Sequence, residues 1–214
     1  MKAPLGIVAI LFLLALMPAC EDDPTCIDCG RKTPPGFQPL TSREAVLNNL
    51  ELAYNKRIPE RVDELLDENF TFYLAPGDVG GGIPAQWSRT DEVDVTTGLL
   101  DSRNAASGPV VLALSVDVQS IEVEWTPIVP LSAPTETWYA TTLGYDFNVH
   151  MDSDQNFIAM PGAQAIFVVR DVDPTDATDW RLVEWRDLGG NVAAMASVGT
   201  ASKTWSGIKA LYRE

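Results

Sequence analysis

Apolar residues follow three successive rhythms along this chain, and each predicts a different kind of structure. The first is an unbroken run over residues 5–17, thirteen positions without a charge. As a helix it would span ~20 Å, short of the ~30 Å hydrocarbon core of a bilayer. Residues 20–40 then carry Pro24, Pro34, Pro35 and Pro39 among few apolar side chains. That composition cannot bury a core and predicts a disordered or extended tether. The second rhythm begins with Thr41, Ser42, Arg43 and Glu44, a capping-box pattern. Ala45, Val46, Leu50, Ala53 and Tyr54 recur at helical spacing until the segment fades at Lys56 and Arg57. Pro59 opens a shorter helix with Val62, Leu65 and Leu66 on one face. A strand over 69–74 and a loop rich in glycine lead to Trp87, and a third helix is predicted from near Thr90 to about Arg103.

Beyond Gly108 the period drops to two. Leu112, Leu114, Val116 and Val118 occupy even positions, and Ile121, Val123 and Trp125 occupy odd ones. The switch predicts a bulge or bend near Gln119 and Ser120. Tyr139, Thr141, Leu143, Tyr145, Phe147 and Val149 alternate along a strand over 137–149, and two more strands are predicted over 157–172 and 180–188. The turns between them, 152–156 and 171–179, are crowded with turn formers. A last short element with Trp205, Ile208 and Leu211 is expected to dock back on the body. Helices segregated from an antiparallel meander give an α+β class. Residues 45–74, the helix before the meander and the late stretch 180–190 resemble the nuclear transport factor 2-like superfamily. The resemblance covers about residues 41–188 and implies N-terminal helices on a curved antiparallel sheet, cone-shaped, in one domain over 41–214. It does not imply one activity, because that fold hosts isomerases, dehydratases, cyclases, dimerisation modules and plain ligand binders.

The apolar run acquires a meaning from its flanks. Lys2 precedes it, and Met17, Pro18, Ala19 and Cys20 follow, then Glu21, Asp22 and Asp23. A basic residue, a short apolar span and a small residue at the exit read as a signal peptide over 1–19. Ala19 and Cys20 resemble the lipobox of bacterial lipoproteins; Met17 and Pro18 are tolerated rather than favoured there. The resemblance implies a diacylglyceryl group on Cys20, cleavage before it and N-acylation, so that the partner of this residue is a membrane in the cell envelope. Several acyl chains suit the task, since each buried CH₂ contributes ~0.8 kcal/mol and one chain holds only marginally. Glu21, where an Asp would imply inner-membrane retention, implies outer-membrane sorting in a two-membrane cell. The alternative is an ordinary secretory peptide cut beside a cysteine.

Cleavage removes Lys2 and no acid, leaving 15 − 1 = 14 basic against 30 acidic residues, a net charge of −16. So acidic a surface argues against nucleic acid or anionic headgroups as partners. Cys26 and Cys29 form a C-x-x-C within the tether. With three cysteines and one histidine in the chain, a monomeric structural zinc site lacks its four ligands, and a local disulfide or two idle thiols remain. No cofactor is implied. Asp152, Asp154 and Asn156 copy the opening of a calcium loop, but Phe157 and Ala163 stand where glycine and a bidentate Glu belong. Gly80, Gly81 and Gly82 lack the ending of a phosphate loop.

The superfamily's cavity lies between helices and sheet, and its enzymes use Asp or Glu with Tyr or His. The candidate pocket residues here are Tyr73, Trp87, Tyr139, Tyr145, Glu184 and Asp187; none falls on a catalytic motif. The lone His150 sits where a strand enters a turn and is expected at the surface. Two functions follow as expectations. One is a non-catalytic envelope lipoprotein that binds a small apolar ligand or a protein partner through the cone or open sheet face, with a homodimer among the options. The other is an isomerase, cyclase or dehydratase using a Tyr and an Asp/Glu pair in the cavity.

Overall fold

The chain divides into two units, Met1–Lys32 and Thr33–Glu214. The computed structural model describes residues 36–80, 83–119, 123–152, 157–173, 179–189 and 204–213, all in the second unit. The expected signal peptide, Cys20, Cys26, Cys29 and most of the expected tether lie outside the described residues. Among these residues no helix is long and apolar enough to cross a membrane.

Helix α1, Arg43–Lys56, is capped by Ser42, whose hydroxyl accepts from the Ala45 amide at 3.1 Å. The cap thus falls one residue later than the sequence pattern placed it. The helix stops because Arg57 turns left-handed, at φ 55°, and donates its amide to Ala53 and Tyr54. Helix α2, Pro59–Leu65, is opened by its proline, which needs no amide partner in a first turn. Strand β1, Leu66–Tyr73, begins three residues before the predicted strand, and β2, Gln86–Ser88, is a short strand absent from the sequence reading. Helix α3, Arg89–Leu100, starts on a reciprocal capping box between Ser88 and Asp91, a cap that contributes roughly 1 kcal/mol. Strands β3 (Val111–Gln119), β4 (Thr126–Ile128), β5 (Trp138–Met151), β6 (Phe157–Asp171) and β7 (Trp180–Gly189) follow, then helix α4, Trp205–Lys209, and a 3₁₀ turn, Ala210–Tyr212.

These strands form one seven-stranded sheet in the order β2-β1-β7-β6-β5-β3, with β4 also on β5. Neighbours are antiparallel except β1 and β7, which run parallel. Bulges interrupt β5 against β6 near Tyr145 and Phe147, and β6 against β7 near Val168 and Val169; such insertions bend a strand and raise its twist. The α+β class, with helices on one face of a curved, mainly antiparallel sheet, is the one read from the sequence. The bend predicted at Gln119 and Ser120 coincides with the end of β3, and residues 120–122 lie outside the described residues.

The free edge of β3 is finished by side chains of α1. Asn55 accepts from the Val116 amide and donates to the Val116 carbonyl, both at 2.7 Å, and Glu51 accepts from the Val118 amide at 3.1 Å. Arg57 donates to the Val111 and Leu100 carbonyls at 2.9 Å each. One guanidinium therefore fixes the end of α1 to α3 and to the sheet. Residues 36–40, assigned by composition to the tether, lie along α1. Phe37 is buried beneath Lys56 and Arg61, and Asn49 clamps the backbone of Gln38 through both amide atoms. One buried aromatic and one side-chain clamp are enough to order them.

The main core fills the space between the helices and the inner sheet face. A smaller cluster, Trp138, Val168 and Val183, lies on the outer face under Ile128 and Ala133 from β4 and its following loop.

Candidate functional site

The interior between helices and sheet is closed by the chain's own C-terminal segment. Its hydrophobic residues were visible as Trp205, Ile208 and Leu211; Trp205 and Ile208 are fully buried and Leu211 is partly so. Residues four apart share a helix face, so Lys209 enters with Trp205. Both Lys209 and Glu92 of α3 are 0 % exposed, and they form an ion pair. Burial pushes the Lys209 ammonium below its ordinary range, against the opposing pull of the Glu92 carboxylate. Four rings surround the ammonium, with centroids at 4.3 Å for Trp185, 4.4 Å for Phe72, 4.8 Å for Trp205 and 5.8 Å for Tyr54. Ring faces attract a cation most strongly where water is excluded. Glu92 also accepts from Trp87 Nε1 at 3.0 Å and Thr96 Oγ1 at 3.1 Å, and the Tyr54 hydroxyl lies 3.2 Å from Thr96 Oγ1. Burial foremost, then the Glu92 charge, holds the Tyr54 phenol well above its ordinary value, which keeps it a neutral donor.

A second buried carboxylate lies nearby. Asp187, near the end of β7, is 2 % exposed. It accepts from the Tyr145 hydroxyl at 3.3 Å, the Gly189 amide at 2.9 Å, and the amide and hydroxyl of Ser206 at 2.9 and 2.5 Å. Ser206 Oγ in turn accepts from the Ala75 amide. Asp78 receives the Thr204 hydroxyl, and burial together with the Asp187 charge raises its pKa. Tyr212 closes the far end by donating to the Pro109 carbonyl at 2.6 Å. The space left between Tyr54, Tyr145, Trp185 and Trp205 is about 10 Å³, no more than one water's worth. Trp205 and Lys209 occupy the volume between helices and sheet, where the superfamily resemblance implies a cavity. The indole N–H groups of Trp185 and Trp205 have no hydrogen-bond partner.

The six residues singled out from the sequence divide between two faces. Trp87, Tyr145 and Asp187 are interior, and Trp87 stacks on Phe72 at 5.0 Å. Tyr73 and Glu184 lie on the outer face, where both meet Arg186, 4.9 Å over the Tyr73 ring and 2.5 Å from Glu184; strand alternation turns them away from Phe72 and Trp185. Tyr139 stands at the start of β5 among Arg43 and Trp180. His150 is exposed. Sequence reasoning missed Glu92, Lys209 and Tyr54 as a polar group. Their signal was the spacing of Trp205 and Lys209, four residues apart, beside an apolar Ile208. A cleft of about 470 Å³ between α3 and Tyr212 carries Asp91, Asp94 and Asp101. No group of metal ligands forms among the described residues.

Fold and interior together define an α+β domain with helices over a curved sheet and a polar cluster sealed between them. Solved structures similar to it include a nuclear transport factor 2-like superfamily protein from Salmonella enterica serovar Typhimurium, 11 % identical over 73 % of this chain and 92 % of that one, with a TM-score of 0.46. An uncharacterised protein with a cystatin-like fold from Caulobacter vibrioides is 16 % identical over 72 % and 92 %, at 0.43. A ketosteroid isomerase-like protein from Erwinia carotovora atroseptica is 13 % identical over 69 % and 92 %, also at 0.43. No protein-family model and no curated protein sequence matches the chain.

Proposed function

We propose that this chain is a cell-envelope lipoprotein, held at a membrane through acyl groups on Cys20, whose exported domain binds without transforming what it binds. The observation that supports binding over chemistry is the engagement of the interior carboxylates. Glu92 is committed to Lys209, Trp87 and Thr96, and Asp187 to Tyr145, Ser206 and Gly189. A general base needs a free lone pair within reach of a substrate proton; Asp187 accepts two hydrogen bonds on each oxygen, and Glu92 is fully buried against Lys209. The Tyr145–Asp187 pair has the composition an isomerase-type site would use, but the C-terminal segment occupies it. The anchor is supported by the sequence alone, from Lys2 through the apolar run to Cys20.

Two measurements test the two halves. Cys20→Ser moves the protein from the membrane to the soluble envelope fraction and abolishes incorporation of labelled palmitate; a variant that stays membrane-bound overturns the anchor. Tyr145→Phe, which removes the proton donor of the Tyr145–Asp187 pair and leaves Asp187 held by Ser206 and Gly189, still complements a deletion strain. Failure to complement at wild-type abundance assigns proton-donor work to Tyr145 and overturns the binding reading.

A further inference from the structure

Thirty acidic residues face fifteen basic ones in this chain, so a partly buried arginine has carboxylates in surplus to pair with. Among the described residues Arg61, Arg89, Arg170, Arg181 and Arg213 each take one, and Arg57 holds two backbone carbonyls. Arg43, half-buried as the first residue of α1, takes neither. Its contacts are three aromatic rings. The guanidinium carbon lies 4.4 Å from the ring centre of Tyr139, 5.5 Å from that of Trp180 and 5.6 Å from that of Trp125. Stacking of this kind engages the flat face of a guanidinium and leaves its N–H edge free. No Arg43 nitrogen is buried without a partner, so that edge meets solvent.

Three elements hold the cage together. Tyr139 and Trp180, at the starts of β5 and β7, meet edge to face at 5.5 Å and 70°. The Trp180 amide donates to the Leu40 carbonyl at 2.8 Å, which ties β7 to the approach to α1. Trp125 donates its indole N–H to Glu44 at 2.8 Å, so the acid next to Arg43 in sequence is engaged with a ring instead of the guanidinium. All three rings are half-exposed. The Tyr139 hydroxyl and the Trp180 indole N–H likewise have no acceptor among the described residues and are not buried. This corner of the domain therefore offers the unpaired donors of three residues beside open ring surface.

That combination defines its complement. The planar fork of an arginine matches a carboxylate through two parallel hydrogen bonds, and half-exposed aromatic rings favour a second aromatic ring at the same place. A doubly charged phosphate is disfavoured by Glu44 and Glu124, the chain neighbours of Arg43 and Trp125, because repulsion grows with the ligand's charge. We infer that Arg43, Trp125, Tyr139 and Trp180 form a surface site for an organic monocarboxylate carried on an aromatic ring. The carboxylate takes the open edge of Arg43, and the ligand's ring lies against Trp125 and Trp180. The inference rests on the binding reading of the domain and adds a place and a ligand class; it uses none of the residues of the sealed interior.

Fluorine resonance on the full chain, purified in a neutral detergent and labelled with 5-fluorotryptophan, tests it. Benzoate is the probe, benzyl alcohol its neutral counterpart and inorganic phosphate the more highly charged anion, all at constant ionic strength. Trp125→Phe and Trp180→Phe identify the two resonances. In the wild type, benzoate at about millimolar concentration shifts both saturably and leaves those of the buried Trp185 and Trp205 in place. Benzyl alcohol and phosphate at equal concentration do not. Arg43→Gln weakens benzoate by at least about tenfold, the loss that follows from removing a charged hydrogen-bond partner. No saturable shift in the wild type, an equal response to benzyl alcohol or phosphate, or unchanged affinity in Arg43→Gln overturns the inference. Should Arg43→Gln fail to fold, the wild-type comparison of the three probes decides alone. A negative titration leaves the Tyr145→Phe complementation unaffected, so the site and its ligand class can fail while the binding reading stands.

Discussion

The two faces of the sheet use the same three ingredients and reach opposite outcomes. Inside, Glu92, Lys209 and four rings are sealed from water; outside, Glu184, Arg186 and Tyr73 form an acid, a cation and a ring on a face where Arg186 remains nearly half exposed. The inner group cannot lose a member without leaving a charge in a low-dielectric interior. The outer group can, because water replaces whatever is removed. Chemical composition is therefore no guide to importance in this domain. Position relative to the C-terminal segment is the guide.

Substitutions can break that contrast, and the largest effect belongs to the interior cation. Lys209→Met strands Glu92 and should lower unfolding stability by about 3–5 kcal/mol in urea denaturation, while the double variant Glu92→Gln/Lys209→Met recovers most of the loss. Equal instability in single and double variants would show that packing, not charge, dominates. Asp187→Asn removes acceptor capacity facing Ser206, Tyr145 and Gly189 and should cost about 1–3 kcal/mol, read by the same denaturation. The C-terminal segment should then become sensitive to protease before the sheet does.

Asp78 sharpens the comparison by pH. Burial and the Asp187 charge raise its folded pKa above the ordinary 3.8. Its favourable contribution is complete below that ordinary value and is lost as pH rises through the raised one. Asp78→Asn should accordingly raise the melting temperature at pH 7, with the gain vanishing below about pH 4. A gain independent of pH would remove charge as the cause. The smallest change is expected outside: Glu184→Gln should alter stability by no more than about 1 kcal/mol, measured by thermal melting in low and high salt.

The elements that the sequence made legible are those set by local chemistry. Pro59 marks the start of α2, the alternation from Tyr139 to Val149 marks β5, and Trp205 with Ile208 marks a docking end. What was not legible depends on partners distant in the chain. Leu66 closes a helical pattern in sequence, yet it lies in β1 because β7 supplies a parallel neighbour through Leu182. Tyr73 and Phe72 are adjacent aromatics, and only the register with Arg186 and Trp185 decides which faces inward. Glu92 looks like a first-turn acid that favours its helix dipole. Its burial is settled by Lys209, 117 residues later in the chain. Of the candidate residues, Trp87, Tyr145 and Asp187 are buried, and the buried ion pair of Glu92 and Lys209 had no reading in the sequence.

The side chains that α1 lays along β3 have a consequence for crowding. An unfinished sheet edge invites a neighbouring molecule to add its own strand, and proteins confined to a surface meet one another far more often than the same number in bulk. If the domain is tethered to a bilayer, as proposed, it lives under that condition. Asn55 and Glu51 already hold the backbone groups of Val116 and Val118, so a second copy finds those positions taken. On that proposal, two residues on one helix would keep a densely packed film of these molecules from zipping edge to edge.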